Sequence, residues 1–298
     1  MTPPQTVSID VPATSANLGP GFDSLGVALD WTGRYTITTS DESVPAPSGP
    51  IEQMTASAAL ALYRQAGVMR PAGLTVQYEG DIPVGRGMGV SASARAAGLI
   101  GANALIGGDH DFEDLVPLAV RLEGHGDNII PALFGGFQVV VEGDDGFVHI
   151  GVEPPVDLRL VLLIPEFSMP TQESRKRLPE RLTRNQAVHN IGRSALLFAA
   201  LMQGRYDLLG TATEDVLHQP ARSTLFPAMY PLFQAARDAG AHGVYLSGGG
   251  STIAAFASEA DTDEVVGAMR EMAAAHGLEV ATRVSLMSST GAALVERG

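Results

Sequence analysis

Hydrophobic residues along the chain occur in short runs interrupted by polar positions and in longer Ala/Leu-rich stretches with helical spacing. The short runs predict β-strands, since successive side chains of a strand face opposite sides of a sheet, and the longer stretches predict helices. In the first half of the chain, strands are predicted at residues 6–12, 25–31, 34–39, 74–79 and 137–142. Helices are predicted at about 53–65, from about 91 onward, and at 112–123.

Two segments of the first half break this pattern. Residues 40–50 are polar and rich in proline, which predicts a surface loop. The sequence GHGDNIIPALFGG at 124–136 predicts an irregular polar loop between a helix and a strand.

The second half has a different order of elements. The predicted order is a strand at 158–164, helices between about 172 and 238, strands at 243–246 and 252–257, a helix at 261–276 and a strand at 279–285. This β-α-β-β-α-β order is typical of a ferredoxin-like unit with extra helices in its first crossover. The segment EPPVD separates the two halves, so we predict two domains, at residues 1–155 and 156–298.

Composition indicates a globular protein and excludes several classes. The 298 residues are 45% hydrophobic and 17% charged, enough for one large or two medium domains. No apolar run reaches roughly 18 residues and the N-terminus lacks a signal-peptide pattern, so we expect a cytoplasmic protein with no membrane partner. The formal net charge of -14 argues against binding to nucleic acid.

Two residue types limit the chemistry that is available. The chain has no cysteine, which excludes disulfides, thiolate nucleophiles and cysteine-ligated zinc. Of the 19 Lys and Arg residues only Lys176 is a lysine, and its context ESRKRLPE fits neither a P-loop nor the lysine strand of a protein kinase. If the chain binds ATP, it must hold the phosphates mainly with backbone amides, magnesium and arginine.

Glycines are concentrated in three segments: TSANLGPGFDS at 14–24, GRGMGVSAS at 85–93 and LSGGGST at 246–252. In the second segment, glycines let the backbone approach a ligand, and a helix starting near Ser91 would direct free N–H groups and its positive dipole end at that ligand. A phosphate fits such a site, and the Ser91 hydroxyl can cap the helix or bind magnesium. For each segment taken alone, a simple tight turn remains the alternative.

Taken together and in order, the three segments resemble the signature motifs of the GHMP kinases, the family named after galactokinase, homoserine kinase, mevalonate kinase and phosphomevalonate kinase. The motifs are PATSANLGPGFDSLGVAL at 12–29, DIPVGRGMGVSASARAAGL at 81–99 and LSGGGSTIAAF at 246–256. Further stretches resemble the homoserine kinase branch of the family, namely EGHGDNIIPALFGGF at 123–137 and the pair TQESR at 171–175 and HQPAR at 218–222.

The resemblance implies an α+β fold with two domains. The N-terminal domain is expected to be a ribosomal-protein-S5-like α/β domain, and the C-terminal domain a ferredoxin-like α+β domain. The implied activity is ATP-dependent phosphorylation of the side-chain hydroxyl of L-homoserine in threonine biosynthesis, with Mg²⁺, by a homodimer. The expected ATP-binding residues are Gly85, Arg86, Gly87, Met88, Gly89, Val90 and Ser91, and the expected magnesium ligands are Ser91 and Glu123.

The family's amino-acid site corresponds to residues from both halves of the chain. The expected substrate-binding residues are Asn17, Asp23, His125, Asn128, Thr171, Arg175, Arg222 and Gly248, and the expected catalytic residues are Asn128, Ser91 and Glu123. Arginine suits the carboxylate of a zwitterion because its guanidinium binds both oxygens, and aspartate suits the ammonium group. Since asparagine cannot take a proton, the resemblance implies catalysis by positioning and magnesium without a side-chain base, with His125 the only titratable alternative nearby.

The nucleotide side departs from the family pattern. Val90 stands where the second motif usually has a serine, and the third motif reads GGGST rather than G-A-G-P-T. The asparagine that often contacts the base is absent, and Gln53 is a candidate substitute. These departures leave open a relative that binds an amino acid without catalysis. Another GHMP kinase, acting on mevalonate or a sugar, is the second alternative, which Asn128 disfavours.

Overall fold

The computed structural model describes residues 6–144, 146–169 and 171–297, apart from the side chains of Thr171, Gln172 and Arg297. The strands are β1 Thr6–Ala16, β2 Leu25–Ser40, β3 Gly73–Glu79, β4 Phe137–Gly143, β5 Gly146–Val152, β6 Leu158–Pro165, β7 Gly243–Leu246, β8 Ile253–Ser258, β9 Val280–Leu286 and β10 Ala293–Arg297. The helices are α1 Pro50–Gln65, α2 Val90–Leu105, α3 Phe112–Glu123, α4 Gly126–Phe134, α5 Thr171–Lys176, α6 Arg184–Met202, α7 Leu209–Ala212, α8 Gln219–Ser223, α9 Met229–Asp238 and α10 Thr262–Ala275.

The first sheet is antiparallel and is built around the long strand β2. Its order is β10-β1-β2-β4-β5, and β3 pairs with the second half of β2. The two strands predicted at 25–31 and 34–39 form one continuous strand, β2. Strand β1 pairs with both parts of β2, and the register of this pairing shifts between Pro12 and Thr14 of β1.

The last strand, β10, brings the C-terminal end of the chain back to the first sheet, where it pairs with β1. The sequence pattern predicted neither β10 nor β5, both of which are short and largely half-exposed or exposed. A domain boundary at residue 155 stays a prediction, since residues after it contribute to both sheets.

Helices α1 and α2 pack against each other and against the first sheet. Alanines of α2 fill this core together with Val7, Ile9 and Ile37 from the strands. Gly98 of α2 faces α1, where an added Cβ would overlap the backbone oxygen of Thr55. Small residues along α2 therefore allow the two helices to approach closely, which fixes the beginning of α2 relative to the sheet.

The second sheet is also antiparallel and has the order β7-β8-β6-β9. Its strands and helices follow the predicted β-α-β-β-α-β order, with α5 to α9 between β6 and β7 and α10 between β8 and β9. Leu232 and Phe233 of α9 and Val265 and Met269 of α10 pack in a core with the strands. Among the described residues, no helix is both long and apolar enough to cross a membrane.

The prediction of an irregular loop at 124–136 is wrong, because residues 126–134 form the helix α4. Ile129, Ile130 and Leu133 are buried in the core of the first half. Their burial outweighs the poor helix propensity of glycine and of Pro131 inside the helix. The glycines that suggested a loop lie mainly at the two ends of α4.

Candidate functional site

A cavity of ≈ 220 Å³ lies where the three glycine-rich segments meet. The first segment contributes Asn17 and Asp23 to its wall, the second contributes residues 85 and 87–91, and the third contributes residues 248–250. The other polar residues of the wall are Glu123, His125, Asp127, Asn128, Arg175 and Arg222. Elements of both halves of the chain therefore surround one space.

The second glycine segment forms a loop that is held by backbone hydrogen bonds and leads into α2. Met88 O accepts from Thr14 N at 3.2 Å, and Arg86 O accepts from Thr252 N at 3.0 Å. Gly89 precedes α2 with φ 65°, in the left-handed region that favours glycine, and an added Cβ there would overlap the Thr14 hydroxyl. The first N–H groups of α2, which have no partner inside the helix, lie beside the cavity and favour an anion.

Ser91 lies in the first turn of α2 and donates to Oε1 of Glu123 at 2.6 Å. Arg95, one helical turn later, forms an ion pair with the other oxygen of Glu123. The Glu123 side chain is 5% exposed, so these two partners replace the water contacts that its carboxylate loses on burial. The Ser91 hydroxyl and the Glu123 carboxylate are the hard oxygen donors that Mg²⁺ and Ca²⁺ prefer.

Asp127 connects two residues of the cavity wall. Its Oδ1 lies 2.5 Å from Nδ1 of His125 and accepts from Nδ2 of Asn128 at 3.3 Å. Burial disfavours the charged form of His125, but the hydrogen bond to Asp127 and the charges of Asp127 and Glu123 outweigh burial and raise the pKa of His125. Sequence analysis missed Asp127, whose only signal is its position between two expected residues in the sequence His-Gly-Asp-Asn.

Asp23 and Arg175 form a two-point ion pair between the two halves of the chain. Nη1 of Arg175 donates to Oδ2 of Asp23 at 2.8 Å, and Nη2 donates to Oδ1 at 2.5 Å. The hydrogen bond to Asp23 raises the pKa of Arg175, so the guanidinium is charged at any physiological pH. In this arrangement, the cation and the carboxylate neutralise each other at the edge of the cavity.

Arg222 is 1% exposed and has three hydrogen-bond partners. Its Nε donates to Ser174 Oγ at 2.6 Å, and its Nη1 donates to His218 Nδ1 at 2.7 Å and to Gly248 O at 2.9 Å. Burial, with the nearby charge of Arg175, lowers the pKa of Arg222 to about 10, so it remains a cation at neutral pH.

His218 connects Arg222 to the first glycine segment. Its Nε2 donates to Gly19 O at 2.7 Å, while its Nδ1 accepts from Arg222, and one neutral tautomer satisfies both contacts. Burial lowers the pKa of His218 to about 4, which keeps the ring neutral. The Asp215 carboxylate accepts hydrogen bonds from the backbone N–H groups of His218 and Gln219 and so fixes the start of α8.

Phe22 lies beside both arginines of the cavity. The centre of its ring is 5.2 Å from Cζ of Arg175 and 5.4 Å from Cζ of Arg222. A guanidinium at this distance from an aromatic ring is stabilised by the cation–π interaction, which offsets part of the repulsion between the two cations. Sequence analysis missed Phe22, although it is the only aromatic residue of the first motif.

Asn17 joins the first and third glycine segments through its side chain. Its Nδ2 donates to Gly248 O at 2.9 Å, and its Oδ1 accepts from Asp23 N at 3.0 Å. Asn17 and Asp23 have φ values of 68° and 56°, in the left-handed region that Asn and Asp tolerate better than most residues. The second hydrogen bond fixes the backbone of Asp23, whose carboxylate pairs with Arg175.

Most of the residues expected from sequence line this cavity. The exceptions are Arg86, whose guanidinium donates to Pro165 O, and Thr171, whose side chain lies outside the described part of the chain. Gln53 lines a neighbouring cavity of ≈ 320 Å³ that shares Met54 with the first.

Comparison with known proteins agrees with this arrangement. The family models of the GHMP kinases N terminal domain and the GHMP kinases C terminal match residues 53–136 and 197–275. The homoserine kinase of Desulfitobacterium hafniense is 36% identical over 297 residues, which cover 97% of this chain and 100% of that protein. The homoserine kinase of Symbiobacterium thermophilum is 44% identical over 261 residues, covering 81% of this chain and 80% of that protein.

A solved structure extends the similarity to the fold. The crystal structure of homoserine kinase from Cytophaga hutchinsonii superposes with a TM-score of 0.87 over 98% of both chains, at 28% sequence identity. This agreement confirms the predicted two-domain α+β fold. The chain therefore belongs to the GHMP kinase family and, within it, to the homoserine kinase branch.

Proposed function

We propose that this protein transfers the γ-phosphoryl group of ATP to the side-chain hydroxyl of L-homoserine, a step of threonine biosynthesis. One observation carries the proposal: a single cavity holds both a glycine loop at a helix start and the ion pair of Arg175 and Asp23. The loop suits the phosphates of a nucleotide, and the ion pair suits the two charges of an amino acid.

On the nucleotide side, the backbone N–H groups of residues 85–91 bind the phosphates together with the positive end of α2. This use of the backbone agrees with a chain whose single lysine, Lys176, does not line the cavity. The Ser91 hydroxyl and the Glu123 carboxylate fit Mg²⁺, since both are hard oxygen donors and lie 2.6 Å apart. Mg²⁺ supplies charge neutralisation on the phosphate oxygens.

On the amino-acid side, the Asp23 carboxylate binds the ammonium group of homoserine, and Arg175 and Arg222 bind its carboxylate. Among the described residues, Nη2 of Arg222 has no hydrogen-bond partner, so a donor remains for the substrate. Binding replaces the ion pair between Asp23 and Arg175 by two pairs with the substrate. Neither charge is left without a partner, which limits the desolvation cost.

For the transfer itself, Asn128 binds the acceptor hydroxyl without removing its proton, because an amide is not a base at neutral pH. His125 is held through Nδ1 by Asp127 and contributes to the same wall. A loose phosphoryl-transfer transition state requires little proton removal before the oxygen attacks, so alignment of the hydroxyl with the phosphate provides most of the rate enhancement. As the bond from the homoserine oxygen to the γ-phosphorus forms, the bond from that phosphorus to the bridging oxygen of ADP breaks, and the hydroxyl proton passes to an oxygen of the transferred phosphoryl group.

We also propose a site for the nucleobase and an assembly state. The base lies in the neighbouring cavity lined by Gln53 and Met54, because this cavity adjoins the one beside the glycine loop. The family resemblance supports a homodimer in the cytoplasm. Light scattering on the purified protein tests the dimer directly.

The activity is tested by measuring ADP release from ATP and Mg²⁺ with homoserine, threonine, mevalonate or galactose as acceptor. We expect turnover with homoserine to exceed that with the other three acceptors and to be lost in Ser91→Ala. Preference for mevalonate or galactose would replace this proposal by another kinase of the same family. Calorimetric binding of homoserine with no binding of nucleotide would indicate an amino-acid-binding protein instead.

A further inference from the structure

Thr14 contacts the phosphate loop and the acceptor side of the cavity at the same time. It is fully buried, and its backbone N–H donates to Met88 O at 3.2 Å. Its hydroxyl occupies the space in which Gly89 lacks a side chain, directly before α2. The same hydroxyl donates to Oδ1 of Asn128 at 2.8 Å. Thr14 is therefore a physical connection between the loop expected to bind phosphate and the residue expected to bind the acceptor hydroxyl.

The neighbours of Asn128 fix which way its amide group faces. Nδ2 of Asn128 donates to Oδ1 of Asp127, and the same oxygen lies 2.5 Å from a ring nitrogen of His125. A carboxylate can only accept, so the amide nitrogen must face Asp127. The amide oxygen must then face Thr14, whose hydroxyl is the donor on that side. Loss of either neighbour would leave one end of a buried amide unpaired and free to turn over.

We propose that Thr14 is a positioning residue for phosphoryl transfer, which acts by holding the amide of Asn128 in the orientation required by the acceptor hydroxyl. The inference rests on the proposed function. Because Thr14 occupies the amide oxygen, the group that Asn128 can offer to the substrate is an N–H, which donates to the acceptor oxygen. Thr14 also ties this donor to the phosphate loop, so that the two reacting groups keep one relative position.

Two substitutions distinguish the contribution of the Thr14 hydroxyl to the rate from that of the side chain's shape. Thr14→Val keeps the branched shape and removes the hydroxyl, whereas Thr14→Ser keeps the hydroxyl and removes a methyl group. Leaving a buried polar group unpaired corresponds to roughly a tenfold or larger loss in rate. We expect Thr14→Val to lower kcat with homoserine about tenfold or more, with the KM for ATP unchanged, and Thr14→Ser to stay within about threefold of the parent protein. Thr14→Ala serves in the same comparison if the valine variant does not fold.

A double-mutant cycle shows whether the loss of kcat in Thr14→Val depends on Asn128. In an Asn128→Ala background, Thr14→Val should cause no further loss of kcat, because the hydrogen bond is already gone. NMR of the side-chain amides gives a readout independent of turnover, in which the Asn128 NH₂ signals should shift in Thr14→Val and not in Thr14→Ser. Parent-like kcat in Thr14→Val, or equal losses in both backgrounds, would overturn the inference. Lack of homoserine phosphorylation by the parent protein would instead overturn the proposed function, while the NMR result would still test the amide orientation.

Discussion

Arg175 and Asp23 face each other across the cleft between the two halves of the chain and are joined by hydrogen bonds of 2.8 and 2.5 Å. The same two side chains are proposed to bind the carboxylate and the ammonium group of the substrate. A half-buried charge without a partner is unfavourable. Each of the two side chains therefore neutralises the other until a zwitterion binds between them and pairs with both. Selectivity for molecules that carry both charges follows from this exchange.

The guanidinium of Arg175 is expected to matter for its shape as well as its charge. Arg175→Lys keeps the positive charge but cannot bind a carboxylate through two parallel N–H groups. We expect the KM for homoserine to rise about tenfold or more, with a smaller change in the KM for ATP. Arg177→Lys, at an exposed position of the same segment, is the matched control and should behave like the parent protein. Equal effects of the two substitutions in steady-state kinetics would contradict the role of Arg175.

Substrate analogues test the exchange of charges without changing the protein. The analogue 4-hydroxybutanoate keeps the hydroxyl and carboxylate of homoserine, and 3-amino-1-propanol keeps the hydroxyl and ammonium group. Each analogue would separate Arg175 from Asp23 while leaving one of them unpaired, so we expect both to bind at least about tenfold more weakly than homoserine. Calorimetry on the parent protein measures the three affinities, and binding of either analogue as tightly as homoserine would rule out the exchange.

Phe22 is expected to support the arginines through its aromatic face. Phe22→Leu retains an apolar side chain but removes the ring that lies 5.2 and 5.4 Å from the two guanidinium carbons. Two cation–π contacts together correspond to a rise of about 5- to 30-fold in the KM for homoserine. Phe22→Tyr keeps the aromatic face and should remain close to the parent. A normal KM in Phe22→Leu would show that the ring only fills space.

Glu123 is expected to be needed for the effect of magnesium on nucleotide binding. Glu123→Gln keeps the size of the side chain and can still contact Ser91, but it removes the charge that a divalent cation requires. We expect Mg²⁺ to strengthen ATP binding in the parent protein and to have little effect in Glu123→Gln, as measured by calorimetry with and without Mg²⁺. The exposed Glu142→Gln is the control and should respond to Mg²⁺ as the parent does. An undiminished magnesium effect in Glu123→Gln would place the ion elsewhere.

Gly87 is expected to be required for the close contact between the second and third glycine segments. Its φ is 78°, its carbonyl accepts from Ser247 Oγ at 2.7 Å, and an added Cβ would overlap Ser247 O. Gly204 has φ 65° and open space around it, so Gly204→Ala reports the backbone strain alone, about 1–2 kcal/mol. We expect Gly87→Ala to lower the free energy of unfolding by about 1–3 kcal/mol more than that. Equal losses of the two variants in urea denaturation would mean that the contact tolerates a side chain.

Regular, strongly patterned elements of this fold could be predicted from the sequence, and elements that depend on distant contacts could not. The helix at 112–123 and the strand at 243–246 have the predicted bounds, because hydrophobic spacing decides both. The helix α4 was missed because buried contacts of Ile129, Ile130 and Leu133 outweigh its local glycine and proline signals. The strand β10 pairs with β1, which lies at the other end of the chain, and the local sequence pattern does not indicate such a distant pairing.

The composition of the cavity wall was more predictable than its internal contacts. Motif positions indicated Asp23 and Arg175, but nothing in the sequence indicated that the two would pair with each other. Thr14 belongs to the first motif, but its contact with Asn128, which lies 114 residues away, could not be predicted from the sequence. Arg86 was expected at the phosphates from the family resemblance, yet its side chain turns towards Pro165 in β6. Contacts of this kind depend on the packing of the two sheets, which a single sequence does not specify.

The proposed reaction moves the γ-phosphoryl group of ATP onto the side-chain oxygen of homoserine. Phosphorus NMR of the purified protein with ATP, Mg²⁺ and homoserine follows the phosphoryl group itself. We predict that the γ-phosphate signal disappears as a phosphate monoester signal grows in step with ADP, and that omission of homoserine prevents both changes. A γ-phosphate signal that persists in the presence of homoserine, or that is converted only to inorganic phosphate, would contradict this reaction.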